Sequence, residues 1–115
     1  MTNLNTIKKK IDELYDLNLA KKCQKRRYIE ARGIFCKIAR DHGDVTLTKI
    51  GKFLDKNHAT VLHSIKITND YLEFEKDLKY KYNIILNNLN LGEQNFENLT
   101  HKELKTLIKS LIKEN

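Results

Sequence analysis

The chain has 115 residues, no proline, four glycines and a formal charge of +7, with a sequence pI near 9.4. That length suits one domain with a modest core, and a proline-free composition rich in Lys, Leu, Ile, Asn and Glu propagates helix better than strand. No stretch approaches the roughly 18 apolar residues of a membrane span, and the N-terminus lacks the apolar region of a signal peptide. These properties exclude a membrane partner and predict a soluble, intracellular, all-helical protein whose positive field attracts polyanions, nucleic acid first among them.

Ile7, Ile11, Leu14 and Tyr15 recur at helical spacing and predict an amphipathic first helix from Asn5 to Asp16. The carboxylates Asp12, Glu13 and Asp16 read as its solvated face. A second helical region spans Leu19 to Asp41, with Tyr28, Ile29, Ile34, Phe35, Ile38 and Ala39 turned inward and Arg26, Lys37 and Arg40 in solvent. Gly43 is expected to end it in the left-handed cap conformation. Cys36 falls on the apolar stripe and reads as a small core residue, and Cys23 lies too far from it in sequence to suggest a metal or disulfide framework.

Thr46 or Thr48 caps a short third helix carrying Leu47, Ile50, Phe53 and Leu54. After Asp55 and Lys56, Asn57 caps the next helix, whose apolar residues run from Val61, Leu62 and Ile65 through Leu72, Leu78, Tyr82, Ile85 and Leu89. This stretch is one long helix or two, divided near Phe74 to Asp77. Tyr71, Tyr80 and Tyr82 read as core or rim residues. Asn90 to Asn98 reads as a loop, and Thr100 with Glu103 forms a capping box for a last helix carrying Leu104, Leu107, Ile108, Leu111 and Ile112.

The segment from Thr46 to Lys66, TLTKIGKFLDKNHATVLHSIK, holds a short helix, a tight turn and a second helix in the span of a helix-turn-helix. In such motifs the N-terminal end of the second helix enters the major groove. Lys56, Asn57, His58, Ala59, Thr60 and His63 are then the residues at the bases. Asn57 both donates and accepts, as an adenine edge requires, Thr60 hydrogen-bonds, and Ala59 packs on a thymine methyl. Upstream, Lys21, Lys22, Lys25, Arg26 and Arg27 place five positive charges within seven residues, suited to phosphates or a minor groove. His58 and His63 are five apart, off the spacing of a helical metal pair, so no metal is expected.

Asp55-Lys56-Asn57-His58-Ala59-Thr60-Val61-Leu62-His63 resembles the signature of the C-terminal DNA-binding domain of DnaA, the bacterial replication initiator: Gly-Gly-Arg-Asp-His-Thr-Thr-Val-Leu-His. EARGIFCKIAR, Glu30 to Arg40, is similar to that family's Ala-Arg-Gln-x-Ala-x-x-Leu-Ala-Arg helix, and LTKIG, Leu47 to Gly51, to its Leu-Pro-Glu-Ile-Gly. The resemblance covers Ile7 to Leu89, most strongly Arg32 and Ile50 to His63, and leaves the tail from Asn90 uncovered. It implies a compact helical bundle with a helix-turn-helix of the DnaA C-terminal-domain or Trp-repressor-like type over residues 1–89, followed over residues 90–115 by a loop and an amphipathic helix packed on it or used for self-association.

By the same resemblance, Asn57, His58, Ala59, Thr60 and His63 face the bases of a short A/T-rich box and Thr48 sits at the groove edge. Arg32 and Arg40 hold phosphates, and the Lys25-Arg26 region supplies a minor-groove contact. The family's Asp is Asn57 here, its first Thr is Ala59, its Pro is Thr48, its Gly-Gly-Arg is shortened to Asp55-Lys56, and its minor-groove Arg falls nearest Gln24. Each change touches a base-reading position, so a different preferred site is expected. The initiator's phosphate-binding Gly-rich loop has no counterpart in this sequence.

The expected function is sequence-specific binding of double-stranded DNA, in replication initiation, its regulation or transcription control. The protein is expected to stand alone in the cytoplasm at the nucleoid, with a phage or mobile element as conjectured source. No Ser-His-Asp or Cys-His set is legible, so no enzyme activity, cofactor or small-molecule substrate is expected. The rival reading is a protein-interaction module that keeps the fold but acts on a host replication or regulatory protein. Its basis is the last helix, which also offers a homodimer face.

Overall fold

A computed structural model describes residues 3–91, and the expected loop and capping box beyond Asn90, with the last helix and its homodimer face, lie outside the described residues save for Asn90 and Leu91. Five helices follow one another: α1 (Leu4–Tyr15), α2 (Arg26–His42), α3 (Leu47–Leu54), α4 (His58–Phe74) and α5 (Lys76–Asn88). The described residues contain no strand, and none of their helices is long and apolar enough to cross a membrane. The fold class is all-α, as expected.

One apolar cluster holds the helices together. Ile7, Ile11 and Leu14 of α1, Ile34, Phe35 and Ile38 of α2, Ile50 of α3, Ile65 of α4 and Ile84 and Ile85 of α5 are fully buried in it. Phe35 stacks on Phe53 with ring centroids 5.5 Å apart, fixing α3 against α2. The Cys36 thiol belongs to the same core, and burial pushes it up to about 12, against a small opposing pull from Arg32.

Helices α2 and α4 pack antiparallel. Gly33 faces Thr68 so closely that a Cβ at Gly33 would stand 2.2 Å from the Thr68 hydroxyl oxygen. Seven residues further out on each helix, Arg26 pairs with Glu75 at 3.1 Å. Ile29, expected in the core, is instead 47% exposed. It lies one turn before Gly33 on the same side of α2, where the helices have begun to part, and its side chain lines the groove between them.

The second helical region begins at Arg26, seven residues later than expected, because tertiary bonds capture the backbone of residues 17–25. Leu19 is buried from within this loop, and its N–H donates to Asp12 Oδ1 at 2.9 Å. The Arg32 guanidinium donates to the carbonyls of Leu19 (3.3 Å), Lys21 (2.8 Å) and Cys23 (2.6 Å). Carbonyls held this way are unavailable to helical N–H groups, and an Arg fork satisfies several acceptors at once. Asp12 is therefore a structural residue and not part of a solvated face, while Asp16 ends α1 in the left-handed region at φ 58°.

A second departure lies in the α2–α3 connection. Gly43 keeps a right-handed conformation, φ −90°, with its N–H on the Ala39 carbonyl, and the left-handed residue is Asp44 at φ 52°. Aspartate visits that region more readily than most side chains. The division expected near residues 74–77 falls at Glu75, whose extended backbone, φ −105° and ψ 107°, separates α4 from α5.

Helix α5 carries a buried charge. Lys81 is 2% exposed and meets Glu30 of α2 at 3.2 Å, while the Tyr15 hydroxyl of α1 donates to the same carboxylate oxygen at 2.5 Å. One carboxylate thus ties three helices. Burial, followed by the charge and hydrogen bond of Glu30, holds the Tyr15 phenol well above its ordinary range.

Candidate nucleic-acid interface

The turn between α3 and α4 is built from local chemistry. Thr46 caps α3 by accepting from the Lys49 N–H at 3.1 Å, so of the two threonines it is Thr46 that caps, and Thr48 stands exposed in the first turn. Asp55 ends α3 in the left-handed region at φ 58°. The Lys56 N–H then returns to the Gly51 carbonyl at 2.8 Å. Asn57 caps α4, its Oδ1 accepting from the Thr60 N–H at 2.8 Å. Gly51 is required by this closure, since a Cβ there would stand 2.4 Å from the Lys56 carbonyl oxygen and 3.3 Å from its carbon.

Asn57, His58, Ala59, Thr60 and His63 are all exposed, while Val61 and Ile65 bury the opposite side of α4. Asn57 to Thr60 are consecutive and encircle the first turn of α4, while His63 lies one turn after Thr60 on the same face. The side chains expected to read bases are thereby gathered on one protruding end. Lys56 is half-buried beneath them.

The basic segment lies beside this end, but its members divide. Lys22 reaches Asp55 in the helix-turn-helix turn at 3.6 Å, and both are well exposed. Gln24, Arg32, Lys56, Thr60 and His63 line one groove of about 630 Å³ between α2 and α4. Arg26 lines the same groove but is paired with Glu75, just past the far end of α4. Lys25 is exposed at the α2 N-terminus and makes no capping bond. Of the cluster, Lys22 is thus the residue tied to the base-facing end, and its signal in the sequence is the acid at Asp55 in the turn.

The remaining expected phosphate ligands have partners of their own. Arg32 braces the loop carbonyls described above. Arg40, exposed near the end of α2, pairs with Asp41 at 3.2 Å, and Lys37 meets the same carboxylate at 3.1 Å. Burial raises the Asp41 carboxyl, but the bonds and charges of Lys37 and Arg40 outweigh it and hold the group below its usual range. Lys49, Lys52 and Lys66 are exposed cations on α3 and α4 that motif matching passes over. Lys66 follows His63 by three residues, the spacing that signals a shared helical face.

The acidic residues occupy the opposite end of α4. Asp70 and Glu73 are exposed in its last turns, and Glu75 and Asp77 follow at the break. Phe74, 81% exposed, and Tyr71, 51% exposed, stand among them.

Comparison with known proteins agrees with this geometry. The family described as "Bacterial dnaA protein helix-turn-helix" matches residues 4–67, more than half of the chain and all of α1 to α3 with most of α4. Over 59 residues, half of this chain, the sequence is 41% identical to the chromosomal replication initiator protein DnaA of Bacteroides thetaiotaomicron and covers 13% of that protein. It is 39% identical to the protein of the same name from Bacteroides fragilis over 59 residues, covering 12% of it. The chain therefore spans about an eighth of the length of these relatives. No solved structure gives a significant match. On the family match, the closed α3–α4 turn and the capped, exposed start of α4, this chain belongs to the bacterial DnaA helix-turn-helix family.

Proposed function

We propose that this chain binds double-stranded DNA sequence-specifically, with the first turn and a half of α4 in the major groove. Asn57, His58, Ala59, Thr60 and His63 meet the bases, and Thr48 flanks them. Lys22, Lys25 and Lys56 hold phosphates, Arg32 shapes the loop that carries the first two, and Arg40 lies on the flank. The observation that carries this reading is the exposure of all five base-facing residues on one capped helix end beside a cation-rich loop. Such binding serves replication initiation or its control, or transcription control. It requires no catalysis and no cofactor.

Selection of bound duplexes from a random pool by the full chain tests this. A recurrent short motif is expected, with His63→Ala lowering affinity for that motif far more than for random DNA. Lys22→Ala should weaken both alike and reduce the salt slope by about one. A pool without enrichment, or equal losses on both DNAs for both variants, would refute specific readout.

A protein partner is the second reading, and the exposed Tyr71 and Phe74 at the acidic end of α4 favour it. Loss of duplex binding in His63→Ala with full retention in Phe74→Ala separates the two surfaces.

A further inference from the structure

The face of α4 that carries Thr60 and His63 changes character along its length. Ile67, Tyr71 and Phe74 continue it at helical spacing, and Tyr71 and Phe74 are exposed. Exposed Ile29 of α2 lines the groove shared with Ile67 and Tyr71, so the apolar patch extends over two helices. A patch of this kind marks a surface that something covers. Its surroundings are acidic: residues 70–77 hold four acids and one lysine. Asp70, Glu73 and Asp77 form no ion pair among the described residues.

We infer that the occupant is this chain's own C-terminal segment, docked as a helix with Leu104, Leu107, Ile108, Leu111 and Ile112 on Ile67, Tyr71 and Phe74. Three observations select it. The segment's apolar residues repeat at the spacing with which a helix fills an apolar groove. From Leu104 to Ile112 they cover about 12 Å of helix, close to the roughly 10 Å from Ile67 to Phe74. Residues 102–113 carry four lysines against one glutamate, opposite in sign to the acids around the patch.

The segment can also reach. Helix α5 leads away from the break at Glu75 for 13 residues, about 20 Å. At its end the Leu91 N–H donates to the Leu86 carbonyl at 2.8 Å, which holds the last described residue against α5. Residues 92–99 span up to about 26 Å when extended, enough to bring Thr100 back beside the break. Tyr71, Phe74 and the tail all lie beyond the family match, which ends at residue 67. The inference does not depend on duplex binding.

Hydrogen exchange on the full chain tests it. An isolated helix as short as residues 100–112 is marginal in water, so slowed exchange of amides 104–112 reports docking. Wild type should show that protection, and Tyr71→Ser combined with Phe74→Ser should reduce it about ten-fold while α1 to α3 exchange as before. A second readout uses the absence of tryptophan from the sequence. In a Phe74→Trp protein the single indole should emit to the blue of free tryptophan, and adding Leu107→Ser and Ile108→Ser should shift it to the red. Both signals should survive dilution of a species with monomer mass. An unprotected tail in wild type, or protection unchanged in the Tyr71 and Phe74 variant, would overturn the inference. So would protection that disappears on dilution together with a dimer mass, which would assign the patch to a second copy.

Discussion

Replacing Gly51 by alanine should destabilise the protein even though alanine is the better helix former. Gly51 lies inside α3, where propensity alone predicts a gain of about 1 kcal/mol. The added Cβ, however, would sit 2.4 Å from the Lys56 carbonyl oxygen, with the Lys56 and Asn57 carbonyl carbons at 3.3 and 3.4 Å. That is about 1 Å inside an ordinary carbon–oxygen contact. The atoms in the way are all backbone, so no rotamer change relieves the clash. Overpacking of this kind costs about 1 to 3 kcal/mol. Moving the turn also strains the Lys56 N–H bond to the Gly51 carbonyl, worth about 1 kcal/mol. After subtracting the propensity gain, the expected net loss is about 2 kcal/mol. For a domain of this size that lowers Tm by roughly 10 °C, and urea unfolding followed by circular dichroism gives the same loss as a shift in midpoint. The turn sets the angle of α4, so the ratio of specific to random DNA affinity should fall as well. A variant as stable as wild type, or more so, would show that the turn does not pass over Gly51 and would refute the reasoning.

Lys81→Ala should cost about 3 to 5 kcal/mol by leaving Glu30 without its cation, whereas Lys81→Met combined with Glu30→Gln should recover most of that loss in the same unfolding assay. Arg32→Ala should lose about 2 kcal/mol through the unbonded loop carbonyls and increase hydrogen exchange at the amides of residues 19–23, and unchanged exchange would argue that Arg32 does not hold the loop. Stability should fall at alkaline pH, because Cys36, Tyr15 and Tyr82 all have raised pKa values in the fold. Their contribution is complete below the unfolded values, 9.0 for the thiol and 10.0 for the phenols, and drains away as the unfolded chain ionises above them. Each group adds about 1.4 kcal/mol per pH unit to the slope. Cys36→Ala should remove the portion that begins near pH 9, checked by urea midpoints between pH 8 and 11.

The parts of the fold that were legible in the sequence are those determined within a few residues. Asn57 announces a helix start, and Thr46 or Thr48 another, because capping is a bond over three positions, and the break at Glu75 falls within the expected range 74–77. The α3–α4 turn was legible for the same reason. What escaped was decided by groups distant in the chain. Leu19 to Lys25 have adequate helix propensity, yet Arg32, about ten residues on, draws their carbonyls away. Lys81 carries nothing in the sequence that sets it apart from the neighbouring lysines, and only the approach of Glu30, itself bonded by Tyr15, makes its burial tolerable. Ile29 matches the apolar period and is still half-exposed, because the crossing at Gly33 and Thr68 lets α2 and α4 part beyond it. At the site, periodicity gave the residues that face outward, but not which of the basic cluster would stand with them. That depended on Lys22 pairing with Asp55 in the turn while Arg26 pairs with Glu75 at the other end of α4.

That division has a consequence for how α4 can approach a duplex. The helix has 17 residues, so at 1.5 Å per residue it is about 25 Å long, while a major groove is about 12 Å wide. Asp70 lies about 20 Å along the axis from Asn57, beyond the roughly 8 Å over which charges act freely at physiological salt. The acids therefore leave the attraction at the first turn undiminished. They would nevertheless meet phosphates directly if α4 lay lengthwise in the groove, and Arg26 at that end is already neutralised by Glu75. On the duplex-binding proposal, an end-on approach escapes this repulsion by bringing Asn57, His58 and Thr60 to the groove and keeping Asp70, Glu73 and Glu75 away from the strands. On that proposal, the charge gradient along α4 favours the end-on orientation, with the first turn of α4 held by the caps at Thr46 and Asn57 and by the closed turn over Gly51.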